Sequence, residues 1–294
     1  MDKTISEITK RVYSELHIAG ILEAKEEAEI IITEVCQLKN KLDIYLKGRN
    51  KINLNKLALL EKIINKRKIR YPLAYIIKKA SFFGLEFYVN PHTMIPRQET
   101  ELLAEECLGL LFPGANVLEI GSGCGNVSVC LAKHFENVNI TSIDISRNAI
   151  RVAKLNSKIY GVNKKIKFLE MDLFSRFLFD KLPFNSFDLI ISNPPYISQE
   201  EFFALQPEIY FEPVESLYGG TDGLKFYKGL AMLSRTLLKK DSYLITEIGF
   251  NMSENIKDIF AKENLKIEKI RKDYSQNDRV IVAQKQGQGL RVKG

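Results

Sequence analysis

The residues best suited to do chemistry form a tetrapeptide, Asn193-Pro194-Pro195-Tyr196, directly after a short apolar run at residues 189–191. A short apolar run that ends in proline is typical of a buried strand. Because proline donates no hydrogen bond and holds the preceding residue extended, the tetrapeptide offers mainly acceptors, namely the Asn193 side-chain oxygen and backbone carbonyls. Such an edge can accept both hydrogens of a planar NH2 group, with Tyr196 against its flat face. We predict that these four residues form the catalytic site.

A glycine-rich turn supplies a second candidate site. The turn lies between a predicted strand and a predicted helix, the context in which such turns bind ligands, and it consists of Gly121, Ser122, Gly123, Cys124 and Gly125. Its Gly-x-Gly-x-Gly spacing differs from the Gly-x-Gly-x-x-Gly of dinucleotide-binding proteins. Glu119 precedes the turn, and its carboxylate would repel a diphosphate but attract a cationic amino acid or a sulfonium. The pattern therefore argues against NAD.

Further acidic residues follow the next two predicted strands. Asp144 ends the first of these, where an acidic residue accepts hydrogen bonds from ribose hydroxyls. Asp172 follows the second, where it could accept from an adenine amino group while Leu173 covers the ring. The carboxyl ends of parallel strands meet at one edge of a sheet. We predict that these residues, with Glu119, the glycine-rich turn and Asn193, bind a nucleoside cofactor that carries a cationic group.

The elements that position these residues alternate between strand and helix from residue 116 onward. Strands are predicted at residues 117–120, 138–144, 166–171, 187–192 and 242–248, and helices at 127–134, 146–159 and 224–238. This alternation predicts an α/β fold with a Rossmann-like, mostly parallel, doubly wound sheet and a ligand crevice at the carboxyl ends of its strands. Residues 266–270 and 279–284 are predicted to add an antiparallel edge pair.

The residues before the sheet are predicted to form a helical bundle and a β-hairpin. Apolar residues recur at helical spacing over residues 5–19, 24–37, 41–46 and 55–66. Residues 82–89 alternate around Gly84 as in a hairpin, and a helix at 102–111 begins at Glu99 or Thr100. The predicted domains are a docking domain at 1–72, a linker with the hairpin at 73–98, a catalytic domain at 99–285 and a flexible tail at 286–294.

Composition narrows the class of protein. The chain has 294 residues, and its 43 basic and 36 acidic residues give a net charge of +7. Its lysines are scattered, which favours a solvated surface over a nucleic-acid patch. No apolar run approaches the roughly 20 residues that span a bilayer, and the N-terminus lacks the apolar core of a signal peptide, so we predict a cytoplasmic protein. Neither a metal site nor a disulfide framework is expected from the spacing of Cys36, Cys107, Cys124, Cys130, His17, His92 and His134.

These motifs carry a resemblance to a known family. Glu119, the glycine-rich turn, Asp144 and Asp172 resemble the S-adenosylmethionine site of class I methyltransferases, and Asn-Pro-Pro-Tyr resembles the motif of those that methylate planar nitrogens. Further matches lie at residues 72–76 (Pro-Leu-Ala-Tyr-Ile), 95–101 (Ile-Pro-Arg-Gln-Glu-Thr-Glu), 212–213 and 219–224. Together they resemble the peptide chain release factor glutamine N5-methyltransferases, the HemK/PrmC family. The sequence departs from the family pattern at Lys78, Gln98 and Met252.

The resemblance implies a cofactor, a substrate and a partner. The cofactor would be S-adenosylmethionine, and the substrate the glutamine of the Gly-Gly-Gln loop of release factors, which act in translation termination. The helical domain and the hairpin would hold the factor, with no direct nucleic-acid substrate. Three alternatives remain open: a ribosomal-protein glutamine N5-methyltransferase, an N6-adenine nucleic-acid methyltransferase and a non-catalytic translation-associated binder.

Overall fold

The computed structural model describes residues 3–287, which divide into two compact units. The N-terminal unit comprises the residues up to Lys78 together with Gln206–Phe211, and the sheet unit comprises Lys79–Leu205 and the chain from Glu212 onward. The sequence did not indicate that 206–211 would join the N-terminal unit. Most of the predicted tail, from residue 288, lies outside the described residues. Gln286 is hydrogen-bonded, because its backbone N–H donates to the Asn264 carbonyl at 2.9 Å.

The N-terminal unit is a helical bundle whose helices bury their apolar stripes against one another. Its helices are α1 (Ile5–Ile18), α2 (Ala24–Cys36), α3 (Leu42–Leu46), α4 (Leu54–Lys68) and α5 (Leu73–Ile77). A capping box between Thr4 and Glu7 begins α1, which satisfies backbone N–H groups that a helix start leaves unpaired. The first four helices confirm the prediction. The fifth was not predicted.

Arg67 is the largest fully buried side chain of this unit, with 2% of its surface exposed. Its Nε and Nη2 donate to the two carboxylate oxygens of Glu27 at 2.7 and 2.9 Å, and its Nη1 donates to the Tyr71 carbonyl at 2.8 Å. Glu208 approaches the same guanidinium at 3.3 Å and lies 2.9 Å from Nε of Arg70. Ion pairs of Glu208 with Arg67 on α4 and with Arg70, two residues beyond the end of α4, therefore attach the segment Gln206–Phe211 to the helical bundle.

The sheet unit begins with the predicted hairpin, formed by β1 (Lys79–Phe82) and β2 (Leu85–Tyr88). The two turn residues, Phe83 and Gly84, both have positive φ, as a two-residue turn between twisted strands requires. The helix α6 (Glu99–Leu110) follows and begins at one of the two residues predicted for its start. Lys78, immediately before the hairpin, has a φ of 60° and ends α5 in the left-handed region that favours glycine.

The main sheet has the order β5-β4-β3-β6-β7-β9-β8. Its strands are β3 (Ala115–Ile120), β4 (Val138–Asp144), β5 (Ile166–Glu170), β6 (Phe187–Ser192), β7 (Leu238–Glu247), β8 (Leu265–Lys272) and β9 (Asp278–Lys285). The first five strands in this order are parallel, and β9 is antiparallel to both β7 and β8. The predicted mostly parallel sheet with an antiparallel edge pair is confirmed.

The remaining helices of the sheet unit are α7 (Asn126–His134), α8 (Arg147–Ile159), α9 (Leu178–Lys181), α10 (Gln199–Phe202), α11 (Lys225–Leu237) and α12 (Ser253–Lys262). Helices α7, α8 and α11 were predicted, whereas α9, α10 and α12 were not. All six residues of β6 are buried, as expected of a strand covered on both faces. Among residues 3–287, no helix combines the length and the apolar character that crossing a bilayer demands.

Strand order fixes the place of the ligand crevice. The chain leaves β3 toward β4 and β5 on one side, and then returns to β6 on the other side of β3. In open α/β sheets this reversal opens a crevice beyond the carboxyl ends of the central strands, where ligands bind. Glu119, Asp144 and Asn193 all lie at or directly after the carboxyl ends of β3, β4 and β6.

Candidate active site

A cavity of about 540 Å³ lies at this switch point, within the size range of small-molecule sites. Among the predicted site residues, those that line it are Glu119, Gly121, Gly123, Cys124, Asp144, Asp172, Leu173, Asn193, Pro194 and Pro195. Three predicted site residues, Ser122, Gly125 and Tyr196, are not among the lining residues. The structure thus brings most of the predicted residues to one cavity and leaves these three out of its lining.

Ser122 and Gly125 shape the glycine-rich turn from behind. Gly125 has a φ of 82° at the start of α7, and a Cβ there would lie 3.0 Å from that of Ala153, so only glycine fits. Ser122 is buried, with its hydroxyl 2.6 Å from that of Ser142. Because the Ser142 hydroxyl donates to Glu119, the Ser122 hydroxyl must donate to Ser142. Both residues hold the turn in place rather than facing the cavity.

Glu119 is 3% exposed and sits in a polar nest at the end of β3. One carboxylate oxygen accepts from the Ser128 backbone N–H at 3.3 Å, and the other accepts from the Ser142 hydroxyl. Burial raises the pKa of Glu119 to about 7, an effect that these hydrogen bonds oppose and that the nearby charge of Asp144 reinforces. Near neutral pH the Glu119 carboxyl therefore changes between its neutral and anionic forms, and the charge of the cavity wall changes with it.

Asp144 holds the glycine-rich turn as well as lining the cavity. Its two oxygens accept from the backbone N–H groups of Gly123 and Ser146, each at 2.8 Å. Burial raises the pKa of Asp144, against the effect of these two hydrogen bonds. A carboxylate offers about four lone-pair sites, so each oxygen retains acceptor capacity for a ligand.

Part of the cavity wall is apolar and aromatic, with Leu173, Phe174 and Phe226 among the lining residues. Asp172 lies there with one oxygen accepting from the Phe174 backbone N–H at 2.9 Å, and Leu173 lines the wall beside it. The ammonium of Lys225 lies 4.9 Å from the centroid of the Phe174 ring and 5.6 Å from that of Phe226. No other lysine or arginine lines the cavity within residues 3–287. A cavity lined by four acids, Glu119, Asp144, Asp172 and Glu215, and one lysine fits a nucleoside with a cationic group better than a diphosphate.

Asn193 extends from the end of β6 into a buried hydrogen-bonded network. Its Nδ2 donates to Oγ1 of Thr100 at 2.9 Å, and Thr100 donates to Oε2 of Glu247 at 2.6 Å. The Tyr196 hydroxyl donates to the other oxygen of Glu247 at 3.4 Å. The hydroxyl of Tyr196 is thus directed at Glu247, and the ring does not line the cavity. This differs from the predicted placement of Tyr196 against a bound planar group.

Two buried contacts explain other motifs of the sequence. The Glu212 carboxylate accepts from the Ile95 backbone N–H at 3.0 Å and from the Arg97 guanidinium, which joins the segments at residues 95–101 and 212–224. Gly219 approaches the tetrapeptide, since a Cβ there would lie 2.8 Å from the Pro195 carbonyl oxygen and from Cα of Tyr196. Residues far apart in the sequence therefore enclose the Asn-Pro-Pro-Tyr edge.

Sequence reasoning missed three polar residues of this region: Thr100, Glu247 and Asn156. The Asn156 amide donates to the Tyr88 carbonyl at 3.0 Å and to the Cys124 carbonyl at 2.8 Å, so it connects the hairpin with the glycine-rich turn. Its position on the buried face of an amphipathic helix is a signal that could have identified it. Thr100 lies within a noted motif, but nothing in the sequence pairs it with Glu247.

Comparison with known proteins finds two family models that match the chain and several similar proteins. The "PrmC N-terminal domain" model matches residues 7–77, and the "Methyltransferase small domain" model matches residues 98–217. A release factor glutamine methyltransferase of Fusobacterium nucleatum is 36% identical over 262 residues, which cover 88% of this chain and 73% of that protein. A bifunctional methyltransferase of Rickettsia prowazekii is 32% identical over 96% of this chain, which spans only 57% of that longer protein. A solved methyltransferase from Pyrococcus furiosus has a TM-score of 0.53 at 18% identity, covering 79% of this chain and 99% of that one, and shows the same fold.

Proposed function

The chain belongs to the family of release factor glutamine methyltransferases, and we propose that it transfers a methyl group from S-adenosylmethionine to the side-chain nitrogen, N5, of the glutamine in the Gly-Gly-Gln loop of release factors. The observation that carries the proposal is the position of Asn193, whose amide lies at the wall of an acid-lined cavity. A planar NH2 group held there would lie beside a bound cationic nucleoside. A factor that acts in translation termination would place the enzyme in the cytoplasm.

The cofactor site is proposed from the residues around the cavity. The acids Glu119, Asp144, Asp172 and Glu215 supply its negative charge, and Leu173 contributes to its apolar wall. The glycine-rich turn brings the backbone close to the ligand, as glycine allows. Asn193, the first residue of the tetrapeptide, also lines the cavity. When bound, S-adenosylmethionine supplies the electrophilic methyl group for the reaction.

The chain's own contribution is to orient a poor nucleophile. An amide nitrogen reacts slowly because its lone pair is delocalised into its carbonyl, so it must be held in one geometry. We propose that Oδ1 of Asn193 and the Pro194 carbonyl accept its two hydrogens. Positive charge that develops on the nitrogen would strengthen both hydrogen bonds, which stabilises the transition state. A proton can leave afterwards, so no dedicated base is required. Pro195 keeps this edge rigid, and Tyr196 supports it through Glu247.

One experiment tests the function against its rivals. The protein is incubated with S-adenosylmethionine and, in separate reactions, purified release factors, ribosomal proteins or DNA, and mass spectrometry locates the methyl group. Methylation of N5 of the Gly-Gly-Gln glutamine is the expected result. A methyl group on a ribosomal-protein glutamine or on adenine would replace the proposal with that activity, and failure to bind the cofactor would favour a non-catalytic binder.

A further inference from the structure

We propose that Thr100 and Glu247 are positioning residues that fix which end of the Asn193 amide faces the substrate. This inference rests on the proposed function and adds two residues to which the sequence motifs gave no role in the site. Thr100 and Glu247 are each 1% exposed, and the three side chains form a continuous chain of hydrogen bonds. Asn193 directly follows β6, Thr100 lies on α6 and Glu247 ends β7, so three different elements position the three side chains.

The polarity of this hydrogen-bonded chain follows from the number of donors. An ionised carboxylate only accepts hydrogen bonds, and a hydroxyl has a single hydrogen to donate. Thr100 must therefore donate to Glu247, and toward Asn193 it can only accept. An asparagine amide has a donor end and an acceptor end of nearly equal shape. The Thr100 hydroxyl selects the donor end, and Oδ1 is left for another group.

The Asn193 oxygen is the end that a substrate NH2 group needs. Within residues 3–287, the hydrogen bond to Thr100 is the one that the Asn193 side chain makes, and Asn193 lines the cavity. A reversed amide would present its own NH2 group to the NH2 group of the substrate, so a hydrogen bond would be replaced by two opposed donors. The chain of hydrogen bonds from Asn193 through Thr100 to Glu247 thus makes the site selective for groups that donate hydrogen bonds. It would reject a carboxylate, which only accepts.

Glu247 is itself held in one orientation. Its second carboxylate oxygen accepts from the Tyr196 hydroxyl at 3.4 Å, so both carboxylate oxygens are hydrogen-bonded. The titratable and charged groups that face it are Glu99, Tyr196, Tyr227 and Arg279. The first and last residues of the tetrapeptide are therefore both connected to Glu247. Tyr196 donates to it directly, and Asn193 is connected to it through Thr100.

Protonation of Glu247 would release the constraint. Burial raises the pKa of Glu247 to about 7, while the hydrogen bond from Thr100 and the charge of Arg279 oppose the shift. Above this pH the carboxylate accepts and the polarity is enforced. Below it a protonated Glu247 can donate to Thr100, whose own hydrogen then becomes free to point at Asn193. Turnover at saturating cofactor is therefore expected to fall as the pH drops through about 7.

The test compares variants that remove or keep the Thr100 hydroxyl. Thr100→Val keeps the shape and removes the hydrogen bonds, and we expect kcat to fall about ten- to a hundredfold with unchanged S-adenosylmethionine affinity. Thr100→Ser keeps the hydroxyl and should restore most of the activity. Thr246→Val is the matched control, since Thr246 is also buried and its hydroxyl donates only to the Glu247 backbone carbonyl. Its kcat should stay close to that of the wild type.

Two further readouts separate positioning from a general loss of structure. Glu247→Gln should lower kcat and remove its dependence on pH near 7. Adding Thr100→Val to Asn193→Ala should cost no further turnover in single-turnover reactions, because Thr100 acts through Asn193. Three results would overturn this inference and leave the proposed function intact. They are equal kcat values for Thr100→Val and Thr246→Val, a Thr100→Ser variant as slow as Thr100→Val, and additive losses in the double variant. A wild-type protein that methylates no glutamine would overturn the proposed function and this inference with it.

Discussion

At the scale of single residues, Asn193 and Asp144 are proposed to act on different molecules. Asn193 lies at the end of β6 and is proposed to hold the substrate amide. Asp144 lies at the end of β4, binds the backbone of the glycine-rich turn and is proposed to hold the cofactor. Because the two residues are proposed to hold different molecules, experiments can distinguish their roles.

Asn193→Ala should lose nearly all turnover, by at least about a hundredfold, and keep cofactor affinity, because it removes an acceptor proposed to act on the reacting nitrogen. Asp144→Ala should instead weaken cofactor affinity roughly ten- to a hundredfold. Calorimetric titration with S-adenosylmethionine and initial methylation rates provide the two measurements. Unchanged methylation by the first variant would refute the mechanism, and wild-type affinity in the second would remove Asp144 from the site.

Glu119 makes cofactor binding dependent on pH. With a pKa of about 7, its carboxyl is ionised above this pH and neutral below it, and the ionised form is the one that attracts a cation. Affinity for S-adenosylmethionine should therefore weaken toward tenfold per pH unit as the pH falls below about 7. Titrations between about pH 8 and pH 6 measure this trend. Glu119→Gln should bind weakly and without this trend, whereas an equally flat profile in the wild type would contradict the role.

The residues recovered from sequence are those with local signals. Glu119 and Asn193 each lie beside a strand and a glycine or proline motif, which marked them. Thr100 and Glu247 gave no such signal, since 147 residues separate them and 93 separate Thr100 from Asn193. A hydrogen bond between single side chains of distant segments leaves no periodic pattern. Their pairing becomes visible only after the sheet and α6 are assembled.

At the scale of elements, the segment at residues 212–224 packs directly on the tetrapeptide. The Gly219 backbone N–H donates to the Ile197 carbonyl at 2.8 Å, and the Ile197 backbone N–H donates to the Leu217 carbonyl at 3.0 Å. This pairing continues the extended path of β6 beyond the sheet. Gly219 has room for no side chain, because any Cβ would meet the backbone at Pro195 and Tyr196.

Gly219→Ala should therefore displace the Asn-Pro-Pro-Tyr edge and reduce turnover at least about tenfold, since misplacement by about 1 Å can cost a hundredfold. Gly109→Ala is the matched control, because Gly109 lies in α6 with open space around a new Cβ. That change should stabilise the protein by roughly 0.5–1 kcal/mol and leave turnover intact. Methylation rates and thermal unfolding measure both effects. Full activity in the Gly219 variant would show that this contact does not position the site.

Sequence patterns predicted long or buried elements better than short ones. The six buried residues of β6 and the amphipathic α1 and α8 stood out. The helices α9 and α10, with four residues each, contain little more than one turn and show no period. Helix α12 was missed although its buried residues Ile256 and Phe260 lie four residues apart.

At the scale of the whole molecule, the N-terminal unit contains a buried ion-pair group. Arg67 is enclosed with Glu27 and Glu208, and its guanidinium also donates to a backbone carbonyl. Burial raises the pKa of Glu27, against the hydrogen bond from Arg67. Loss of the arginine would leave the half-buried Glu27 carboxylate without its ion-pair partner and close to the half-buried Glu208.

Arg67→Met is expected to destabilise the protein by about 3–5 kcal/mol, as is typical when one partner of a buried ion pair is removed. Arg11→Met is the control, because Arg11 pairs with Glu15 and Glu61 at the surface, where such pairs contribute about 0–1 kcal/mol. Urea unfolding followed by circular dichroism measures the difference. Similar losses in both variants would show that the buried position of Arg67 carries no special energetic weight.

The segment Gln206–Phe211 also gives the protein an order of assembly during synthesis. Helices α1 to α5 leave the ribosome early, but Glu208 is made 141 residues after Arg67, and Phe211, whose ring lies 5.1 Å from that of Tyr71, comes later still. At roughly 5–20 residues per second, this delay is on the order of ten seconds. Throughout that interval the nascent helical bundle lacks its last counter-charge and its last aromatic contact. The helical bundle is thus completed only after synthesis has proceeded well into the sheet unit.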